Sequence, residues 1–570
     1  MTSTRAMPSR RVRTSAPGRP GLPAGTLVAV AIAVCVAQVG LAIPAVLNGL
    51  FQQDLGTTSS QLTWISDAFL VPVTLLELTF GVLGDLFGRK RLLVGGALCM
   101  AIGELIAVLT PGASASTDTR VLVLWTGQIL AGVGAAALLP TTLAMVAAGT
   151  HTVAERSRGL TIWAAALASG GFVSPVLGGL VTKAHFGSEP YASWRWAFIA
   201  VLVLAVFSAV VSAFASQDSS APEGRSLDWP GQITVAIAMF ALLYAVIQGP
   251  TSGWGSGEVV AGFVIGVAFL VLFVVAEHRS AAPLLRMDLF HNRAFAIASL
   301  VTVIGMFAYL GAAYTTSIRL AAIQGFSPLR TSVAFVFLNG MCLPLMPITR
   351  RLLERYNPKW ALGAGSLLIA IGTFWLAGIS ATDRSLLSVT VPLLIIGVGF
   401  AFAVASVTAV AVNTVPNQLA GMASGATSML RDFGFTLGPA VIGAIALSRA
   451  ASDMQAKIAS SETLQKALAG FNGAAAHVPA AQRAEVEAAI GAVNSGPLGA
   501  NAVPAMVPGP DGKLVPFNPL KDVAFHALDS AYSVGYVVCG VAAVVAAVLS
   551  VLFIGGKAHE TLITVESLDD

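Results

Sequence analysis

Four carboxylic acids of this chain lie inside long apolar stretches: Asp67, Glu77, Glu104 and Asp432. Ionisable side chains are costly in a lipid interior, so acids kept there are candidates for function. Loss of water favours the neutral form of a carboxyl group, which can then exchange one proton per cycle or attract a cation, but not both at once. Because the two ligands exclude each other, such a group can couple their movements in opposite directions. The four acids are therefore candidates for proton and substrate coupling.

Each acid also has a purely structural interpretation. Asp432 follows Arg431 and could pair only with it or with solvent. Asp67, near the end of its apolar stretch, could lie at the level of the lipid headgroups. Glu77 and Glu104 could do no more than pack between helices. Both interpretations stay open, and on the functional one we expect Asp67 to attract a cationic substrate while Glu77 or Glu104 carries the proton.

The elements that must position these acids are membrane helices. Of the 570 residues, 56% are apolar and 11% are charged, whereas about 25% are charged in soluble domains. A set of soluble domains does not fit this composition, and neither does disorder, which needs low hydrophobicity and high net charge. The frequent Gly and Pro residues favour membrane helices over transmembrane strands. Fourteen apolar runs approach the roughly 20 residues that cross a bilayer: 26–46, 63–84, 91–110, 121–147, 159–182, 196–215, 230–249, 258–276, 295–317, 331–348, 360–380, 387–412, 428–448 and 531–556.

The basic residues orient these runs. With the N-terminus on the cytoplasmic side, 20 of the 32 Lys and Arg residues are cytoplasmic and only 6 fall in the short outer loops. Lys and Arg accumulate in the cytoplasmic loops of membrane proteins. We therefore predict a multi-pass protein of the cytoplasmic membrane. Both of its ends, a basic tail at 1–25 and a second tail at 557–570, would be cytoplasmic.

The other 6 basic residues lie in one long outer segment, 449–530, between the last two runs. It is rich in Ala, and its stretches Met454–Leu468 and Ala480–Val493 are compatible with helices. Two interpretations of the segment stay open: a tolerated loop insertion, or a cap over the outer mouth of the molecule.

The loop after the second run combines glycines with one acid and three cations. Glycines permit a tight turn and close helix approach. An acid beside cations could form a charge clamp between helices at the cytoplasmic face, and this clamp would break as the helices move. A weaker echo, Pro347–Lys359, follows the tenth run and indicates an internal repeat, as in many secondary transporters. The loop residues are Gly81, Asp85, Gly88, Arg89, Lys90 and Arg91.

These segments resemble a known family, the major facilitator superfamily. Its hallmark loop is matched by Gly81, Leu83, Asp85, Gly88, Arg89 and Lys90. Its antiporter motif is similar to the fifth run, at Gly170, Gly171, Pro175, Gly178 and Gly179. Three further segments resemble the fourteen-span drug:proton antiporter family within this superfamily: Trp194–Trp196, Gly325–Pro328, and Gly421–Gly425 followed by Arg431. The resemblance extends from about residue 26 to 556.

Three positions depart from the pattern of that family. The chain has Gln128 where relatives carry an Arg in the fourth span, and Cys35 where they carry an Asp in the first. Ser174 replaces the glycine before the antiporter-motif proline. The Arg is often assigned to proton coupling in relatives, so coupling here must rest on other groups. Asp67 matches in place an acid of some antiseptic exporters of the family.

The resemblance implies an all-α integral membrane fold of the major-facilitator type with fourteen spans. An N-terminal six-helix bundle would occupy 26–215. An extra helix pair with its linkers would occupy 216–294. A C-terminal six-helix bundle would occupy 295–556 and contain the 449–530 segment.

We expect a proton-driven exporter of hydrophobic, cationic drugs or antiseptics that works by alternating access. Its partners would be these small substrates, protons and membrane lipids, with no nucleic acid. The sequence has no P-loop for ATP, metal-ligand cluster or nucleophile elbow, so we expect neither an enzyme nor a cofactor. Two alternatives remain. One is a dedicated exporter of an endogenous metabolite or antibiotic, and the other is a non-transporting membrane receptor, which would not need acids in its spans.

Overall fold

A computed structural model describes residues 22–150, 153–187, 191–220, 227–280, 283, 287–413, 420–474, 478, 480–508 and 514–554. The two predicted tails lie almost wholly outside this part of the chain. Within it, fourteen helical segments are long and apolar enough to cross a membrane. The predicted all-α architecture with fourteen spans is confirmed.

The helices follow the apolar runs closely. The first half contains α1 (Ala24–Ala42), α2 (Pro44–Leu55), α3 (Ser59–Phe87), α4 (Arg89–Val108), α5 (Thr117–Gly149), α6 (Val153–Val181), α7 (Trp194–Ala215), α8 (Trp229–Ser252) and α9 (Gly257–Arg279). The second half contains α10 (Arg293–Ser317), α11 (Pro328–Asn339), α12 (Cys342–Arg355), α13 (Pro358–Ala377), α14 (Leu386–Asn413), α15 (Ala420–Ala459), α16 (Glu462–Asn472), α17 (Ala480–Asn494), α18 (Pro497–Ala502) and α19 (Lys521–Phe553). A 3₁₀ turn (Met287–His291) precedes α10, and a π-helical segment (Ile318–Ile323) follows it.

Two breaks divide single spans into two helices. The first span breaks at Ile43, because Pro44 has no N–H to donate and its ring crowds the preceding turn. The tenth span breaks between Asn339 and Cys342. The apolar runs alone did not show either break, since apolar residues continue across both positions.

The helices pack into two bundles and one pair. We call α1–α7 the first bundle, and α10–α15 with α19 the second bundle. In the pair, α8 packs on both α3 and α15, so it touches both bundles. The other member of the pair is α9, and only 22% of its most apolar 18-residue stretch is buried. Its exposed apolar face suits contact with lipid.

Small residues bring the helices of the first bundle close together. A methyl group added to Gly103 of α4 would lie 2.6 Å from the carbonyl oxygen of Gly127 in α5. One added to Gly132 of α5 would lie 3.0 Å from the carbonyl carbon of Phe69 in α3. Lipid provides no hydrophobic force between helices, so such close backbone packing supplies their contact energy.

Helix α15 is longer than the span predicted from hydropathy. Helix α15 continues to Ala459, beyond the predicted end of its span at 448. The predicted single stretch Met454–Leu468 is therefore divided between α15 and α16, with a break at Ser460. The prediction of a helix at 480–493 agrees with α17. Hydropathy marks where a helix leaves the bilayer, not where the helix ends, and this explains the difference.

The rest of the segment packs against the second bundle. In α18, Asn501 is 2% exposed and its amide donates to the carbonyl oxygens of Ala322 and Ile323 at 3.0 and 3.2 Å. These carbonyls belong to the π-helical segment, where the regular i→i−4 ladder is interrupted. A short antiparallel hairpin pairs β1 (Met506–Pro508) with β2 (Leu514–Pro516).

The two ends of the molecule differ in packing between the bundles. We call the end that carries residues 84–91 the motif end, and the end that carries α16–α18 the insertion end. At the insertion end, the amide of Asn48 donates to the hydroxyl of Ser317 at 2.7 Å. Nearby, a methyl group added to Gly179 of α6 would lie 2.8 Å from the Cα of Leu329 in α11. These contacts seal the insertion end.

Toward the motif end the packing is looser. None of residues 162–169 of α6 is buried, whereas Gly170, Gly171 and Ser174 are. In α12, Cys342 and Thr349 are the buried residues among the side chains described there. The bundles therefore meet tightly at one end and separate along α6 and α12 at the other.

Candidate functional site

Two of the predicted acids meet between the bundles. Glu77 of α3 lies within hydrogen-bonding reach of Asp432 of α15, and the guanidinium of Arg431 is close enough to interact with both carboxyls. The Nε of Arg431 donates to one Asp432 oxygen at 2.8 Å, and Nη2 donates to the other at 3.1 Å. Glu77 is 5% exposed and Asp432 is 2% exposed. We call these three residues the carboxyl cluster.

The contact line between α3 and α15 holds the carboxyl cluster in place. One turn away from Glu77, the hydroxyls of Thr74 and Thr436 are hydrogen-bonded across the two bundles at 2.9 Å. Thr436 also donates to the backbone carbonyl of Asp432 at 2.9 Å. A hydroxyl that bonds to its own helix and to the opposite one fixes the register of α3 against α15. Asp432 thus pairs with Arg431, as its structural interpretation supposed, and it also lies beside a second carboxyl group, that of Glu77.

Asp67 lies on the same helix but in a different environment. It is fully buried, and neither of its carboxyl oxygens has a hydrogen-bond partner in the described part of the chain. Because of this burial, the carboxyl group is surrounded by protein and does not contact lipid headgroups. Asp67 interacts electrostatically with Tyr314 of α10, whose hydroxyl is hydrogen-bonded to that of Thr63 at 2.9 Å. Asp67 is therefore enclosed beneath the seal at the insertion end.

Glu104 and Gln128 lie inside the first bundle. Both are fully buried, and their polar side-chain atoms have no hydrogen-bond partner among the residues that the structure describes. They are at similar height, because their neighbours Gly103 and Gly127 pack on each other. Helix α4 packs against α3, α5 and α7 of its own bundle. The structure therefore does not bring Glu104 to Glu77, although their positions on adjacent spans were compatible with one shared cavity.

The hallmark loop makes a tight turn onto the linker after α7. Gly88 has φ 102°, a conformation that favours glycine. Asp85 pairs with Arg89 at 2.7 Å, one turn later in the chain. The carboxylate of Asp218, in this linker, accepts from the backbone N–H of Lys90 at 3.0 Å, so the linker caps the N-terminus of α4. The structure thus places the predicted clamp residues together, and Gly81 lies on α3 next to Pro140 of α5.

The antiporter motif forms a contact surface of α6 for two helices. A methyl group added to Gly170 would lie 2.5 Å from the carbonyl oxygen of Cys35 in α1, and one added to Gly178 would lie 2.8 Å from Val46 of α2. Gly171 and Gly179 instead face α11 of the second bundle. Pro175, inside α6, is also buried.

The departure at Ser174 has a local explanation. Its hydroxyl donates to the carbonyl oxygen of Val39 in α1 at 3.0 Å. Ser174 is fully buried, so the hydrogen bond satisfies a hydroxyl that would otherwise be costly there. A serine at this position thus keeps the close contact between α6 and α1.

Sequence reasoning missed an ion network at the insertion end of the first bundle. Asp54 pairs with Arg120 at 2.9 Å and accepts from the indole N–H of Trp194 at 2.7 Å. Arg195 lies 3.7 Å from the same carboxylate and donates to the carbonyl oxygen of Thr110 at 3.0 Å. This network ties α2, α5 and α7 together. Arg120 and Arg195 are two of the six basic residues counted in the short outer loops, and Trp194 and Arg195 belong to a segment noted for its family resemblance, but neither observation predicted the network.

A polar and aromatic group also lies at the middle of the interface. The hydroxyl of Tyr309 donates to the amide oxygen of Asn339 at 2.7 Å, and its ring stacks on Phe400 with centroids 3.7 Å apart. Gly171 of α6 faces Asn339 from the other bundle. The group offers a flat apolar surface beside one amide. No group of three or more His, Cys, Asp or Glu side chains that could hold a metal ion occurs among the described residues.

Comparison with known proteins identifies relatives that are named for antibiotic or multidrug resistance. The chain is 26% identical over 449 residues to a tetracenomycin C resistance and export protein of Streptomyces glaucescens, covering 79% of this chain and 80% of that protein. It is 29% identical over 394 residues to the multidrug resistance protein Stp of Mycobacterium tuberculosis, covering 69% and 70%.

Solved structures share the fold. A bacterial homolog of the human lysosomal transporter Spinster has a TM-score of 0.58 at 15% identity, covering 93% of this chain and 97% of that one. A structure from the proton-dependent oligopeptide transporters has a TM-score of 0.55 at 16% identity, covering 94% and 99%. The family model described as Major Facilitator Superfamily matches residues 28–439. This multi-pass membrane protein therefore belongs to the major facilitator superfamily, as its sequence motifs implied.

Proposed function

We propose that the protein is a proton-coupled secondary transporter that exports hydrophobic, cationic drugs or antiseptics across the cytoplasmic membrane. The observation that carries the proposal is the carboxyl cluster, because it is buried and is shared by two helices of opposite bundles. A receptor or scaffold has no need for buried acids at a moving interface. The names of the relatives, which include resistance and export proteins, support the same function.

Alternating access follows from the unequal ends of the molecule. The bundles are sealed at the insertion end and loosely packed along α6 and α12 at the motif end. We assign the motif end and both termini to the cytoplasm, since most of the Lys and Arg residues are on that side. The state described here then opens toward the cytoplasm, where an exported substrate enters.

The burial of the acids favours a different division of roles from the one expected from the sequence. Asp67 lies beneath the seal, so a substrate entering from the cytoplasm does not reach it in this state. It becomes accessible when the insertion end opens, and there it takes up a proton from outside. Glu77 and Asp432 are about 15 Å further along, from the ten-residue spacing on α3. They release the proton to the cytoplasm and attract the substrate cation.

Proton and substrate exclude each other at the carboxyl cluster. A protonated Glu77 leaves the cluster without net charge, whereas an ionised Glu77 gives it one negative charge that attracts a cation. The proton gradient alone drives this cycle, with no further cofactor. Small hydrophobic cations, protons and lipids are the partners, and no nucleic acid takes part.

The proposal is tested with purified protein in proteoliposomes. With an imposed pH gradient and ethidium as a hydrophobic cationic probe, we expect ethidium to accumulate against its gradient while protons move the opposite way. Equal ethidium movement with and without the pH gradient would exclude proton coupling. Protein-free liposomes under the same gradient give the background.

A second candidate function is the export of one dedicated antibiotic. One relative is named for tetracenomycin C alone, and another for multidrug resistance. A panel of unrelated hydrophobic cations distinguishes the two functions, because a drug exporter moves several of them and a dedicated exporter moves none or one.

A further inference from the structure

The charges of the carboxyl cluster do not balance unless it holds a proton. Asp432 and Arg431 form a two-point ion pair and cancel each other. Glu77 is left as a second carboxyl against Asp432, with its Oε2 buried and without a partner in the described residues. Two ionised carboxylates in contact repel strongly when water is excluded. One proton between them replaces this repulsion by a charge-assisted hydrogen bond.

The position of this hydrogen bond gives it a mechanical consequence. Glu77 is on α3 of the first bundle and Asp432 is on α15 of the second, and their contact line continues through Thr74 and Thr436. A bond at this place therefore joins the two moving parts of the molecule. A repulsion at this place destabilises the state in which they are in contact and shifts the population to the other state.

We propose that Glu77 and Asp432 share a single proton, and that this shared proton holds the bundles in the state sealed at the insertion end. The inference rests on the proposed function and adds the step that links proton binding to movement. When the proton leaves the carboxyl of Glu77 for water on the cytoplasmic side, two carboxylates face each other. The contact between α3 and α15 then weakens, and the insertion end is free to open.

Other titratable groups on the neighbouring helices have other partners or sites. In the described residues, the charged groups that interact with Glu77 are Asp432 and Arg431. Elsewhere, Asp228, the residue before α8, accepts from the N–H of Gly231, and Tyr309 of α10 donates to Asn339. Tyr532 of α19 interacts with Tyr314, and Glu104 of α4 is enclosed in the first bundle.

The test measures how pH changes the opening of the insertion end. Spin labels are placed at two exposed positions of the insertion end: Thr119, in the first turn of α5 of the first bundle, and Ser385, just before α14 of the second bundle. The full-length chain is used, with the four native cysteines replaced: Cys35, Cys99, Cys342 and Cys539. For a one-proton event, we expect the ratio of long to short label distances to rise with pH, by at most about tenfold per pH unit.

Two neutral variants remove the shared proton in opposite ways. In Glu77→Gln, an amide donates permanently to Asp432, so the fraction of short distances should stay high and should no longer change with pH. In Asp432→Asn, ionised Glu77 meets Arg431 and an amide instead of a carboxylate, so the pH response should also disappear. Glu258→Gln, at an exposed position on α9, is the control and should keep the wild-type response.

Each outcome decides the matter. The inference would be overturned if the label distances in the wild-type protein did not change with pH. It would also be overturned if either neutral variant kept the full pH response. Should Glu77→Gln fold poorly, Glu77→Asp keeps a titrating carboxyl and is expected to respond to pH with a shifted midpoint. The proposed function fails separately, if the wild-type protein moves no probe against a pH gradient. If the wild-type protein shows proton-driven transport, but the label distances in Glu77→Gln respond to pH as they do in the wild type, only the shared-proton inference is overturned.

Discussion

At the scale of single residues, burial and partners separate four acids that look alike in sequence. Glu77 and Asp432 contact each other between the bundles, Asp67 is enclosed beneath a seal, and Glu104 is enclosed within one bundle. A proton affects the movement of the bundles only where its carboxyl is part of their interface. This criterion selects the carboxyl cluster and leaves Glu104 outside it.

Glu104→Gln tests this distinction. Glu104 is buried without a partner in the described residues, so its neutral form is well imitated by an amide of the same size. We expect proton-driven export within about twofold of the wild type, which corresponds to less than about 0.5 kcal/mol. Transport rates in proteoliposomes check this. Loss of the pH-driven component in this variant would place the proton carrier inside the first bundle.

The sequence identified the acids but not their pairing. An acid in an apolar run is easily recognised, because such a run is expected to lie in lipid or in the protein interior, where a charged group is costly. The contact of Glu77 with Asp432 joins residues hundreds of positions apart, and it depends on how α3 and α15 pack. The separation of Glu104 from Glu77 was not predictable either, because adjacency of two spans does not determine the face on which a side chain lies.

At the scale of elements, glycines determine how closely helices of opposite bundles approach. Gly179 of α6 faces Leu329 and Ser332 of α11 at the seal, whereas Gly305 of α10 has open space where a side chain would lie. The two positions form a matched pair, since both are helical glycines. A methyl group is tolerated at one and crowds the backbone of the opposite bundle at the other.

Gly179→Ala is expected to weaken the seal, and Gly305→Ala is not. The added methyl group at Gly179 would lie 2.8 Å from the Cα of Leu329, so the helices must separate. Overpacking of this kind typically costs about 1–3 kcal/mol, which shifts a two-state population by on the order of tenfold. Label distances between Thr119 and Ser385 measure the shift. Equal distances in the two variants would show that α6 and α11 do not form the seal.

The presence of the membrane helices was predictable from the sequence, but the end of α15 and the π-helical segment were not. All fourteen spans coincide with apolar runs, because about 20 apolar residues are needed to cross the bilayer. The extension of α15 to Ala459 escaped prediction, since that part of the helix is no longer apolar. The π-helical segment Ile318–Ile323 also escaped prediction, because its apolar composition is compatible with a regular helix.

At the scale of the whole molecule, the outer segment reinforces the seal. Asn501 of α18 binds two carbonyls of the π-helical segment, and the neighbouring residue Ser317 accepts from Asn48 of the first bundle. The π-helical segment thus lies between the first bundle and the outer segment. This placement favours the interpretation of 449–530 as a cap over that of a tolerated insertion.

Replacing residues 461–519 by a flexible linker should preserve the fourteen spans but weaken the seal. The spans form their own core, so we expect a monodisperse protein with both termini on one side. Removal of α18 also removes the two hydrogen bonds of Asn501, so the label distance at the insertion end should lengthen. Asn501→Ala, a point variant of the same contact, should lengthen it by less. Failure of α19 to insert would show that the segment is needed for folding.

The central claim is that the carboxyl cluster couples proton movement to export. The most direct measurement compares ethidium transport by the wild type and by Glu77→Gln in proteoliposomes, first under a pH gradient and then with ethidium gradients alone. We predict that the variant loses accumulation against the ethidium gradient but retains slower exchange down that gradient, since the substrate path remains while the proton site is fixed in its neutral form. Full proton-driven accumulation by Glu77→Gln would contradict the account.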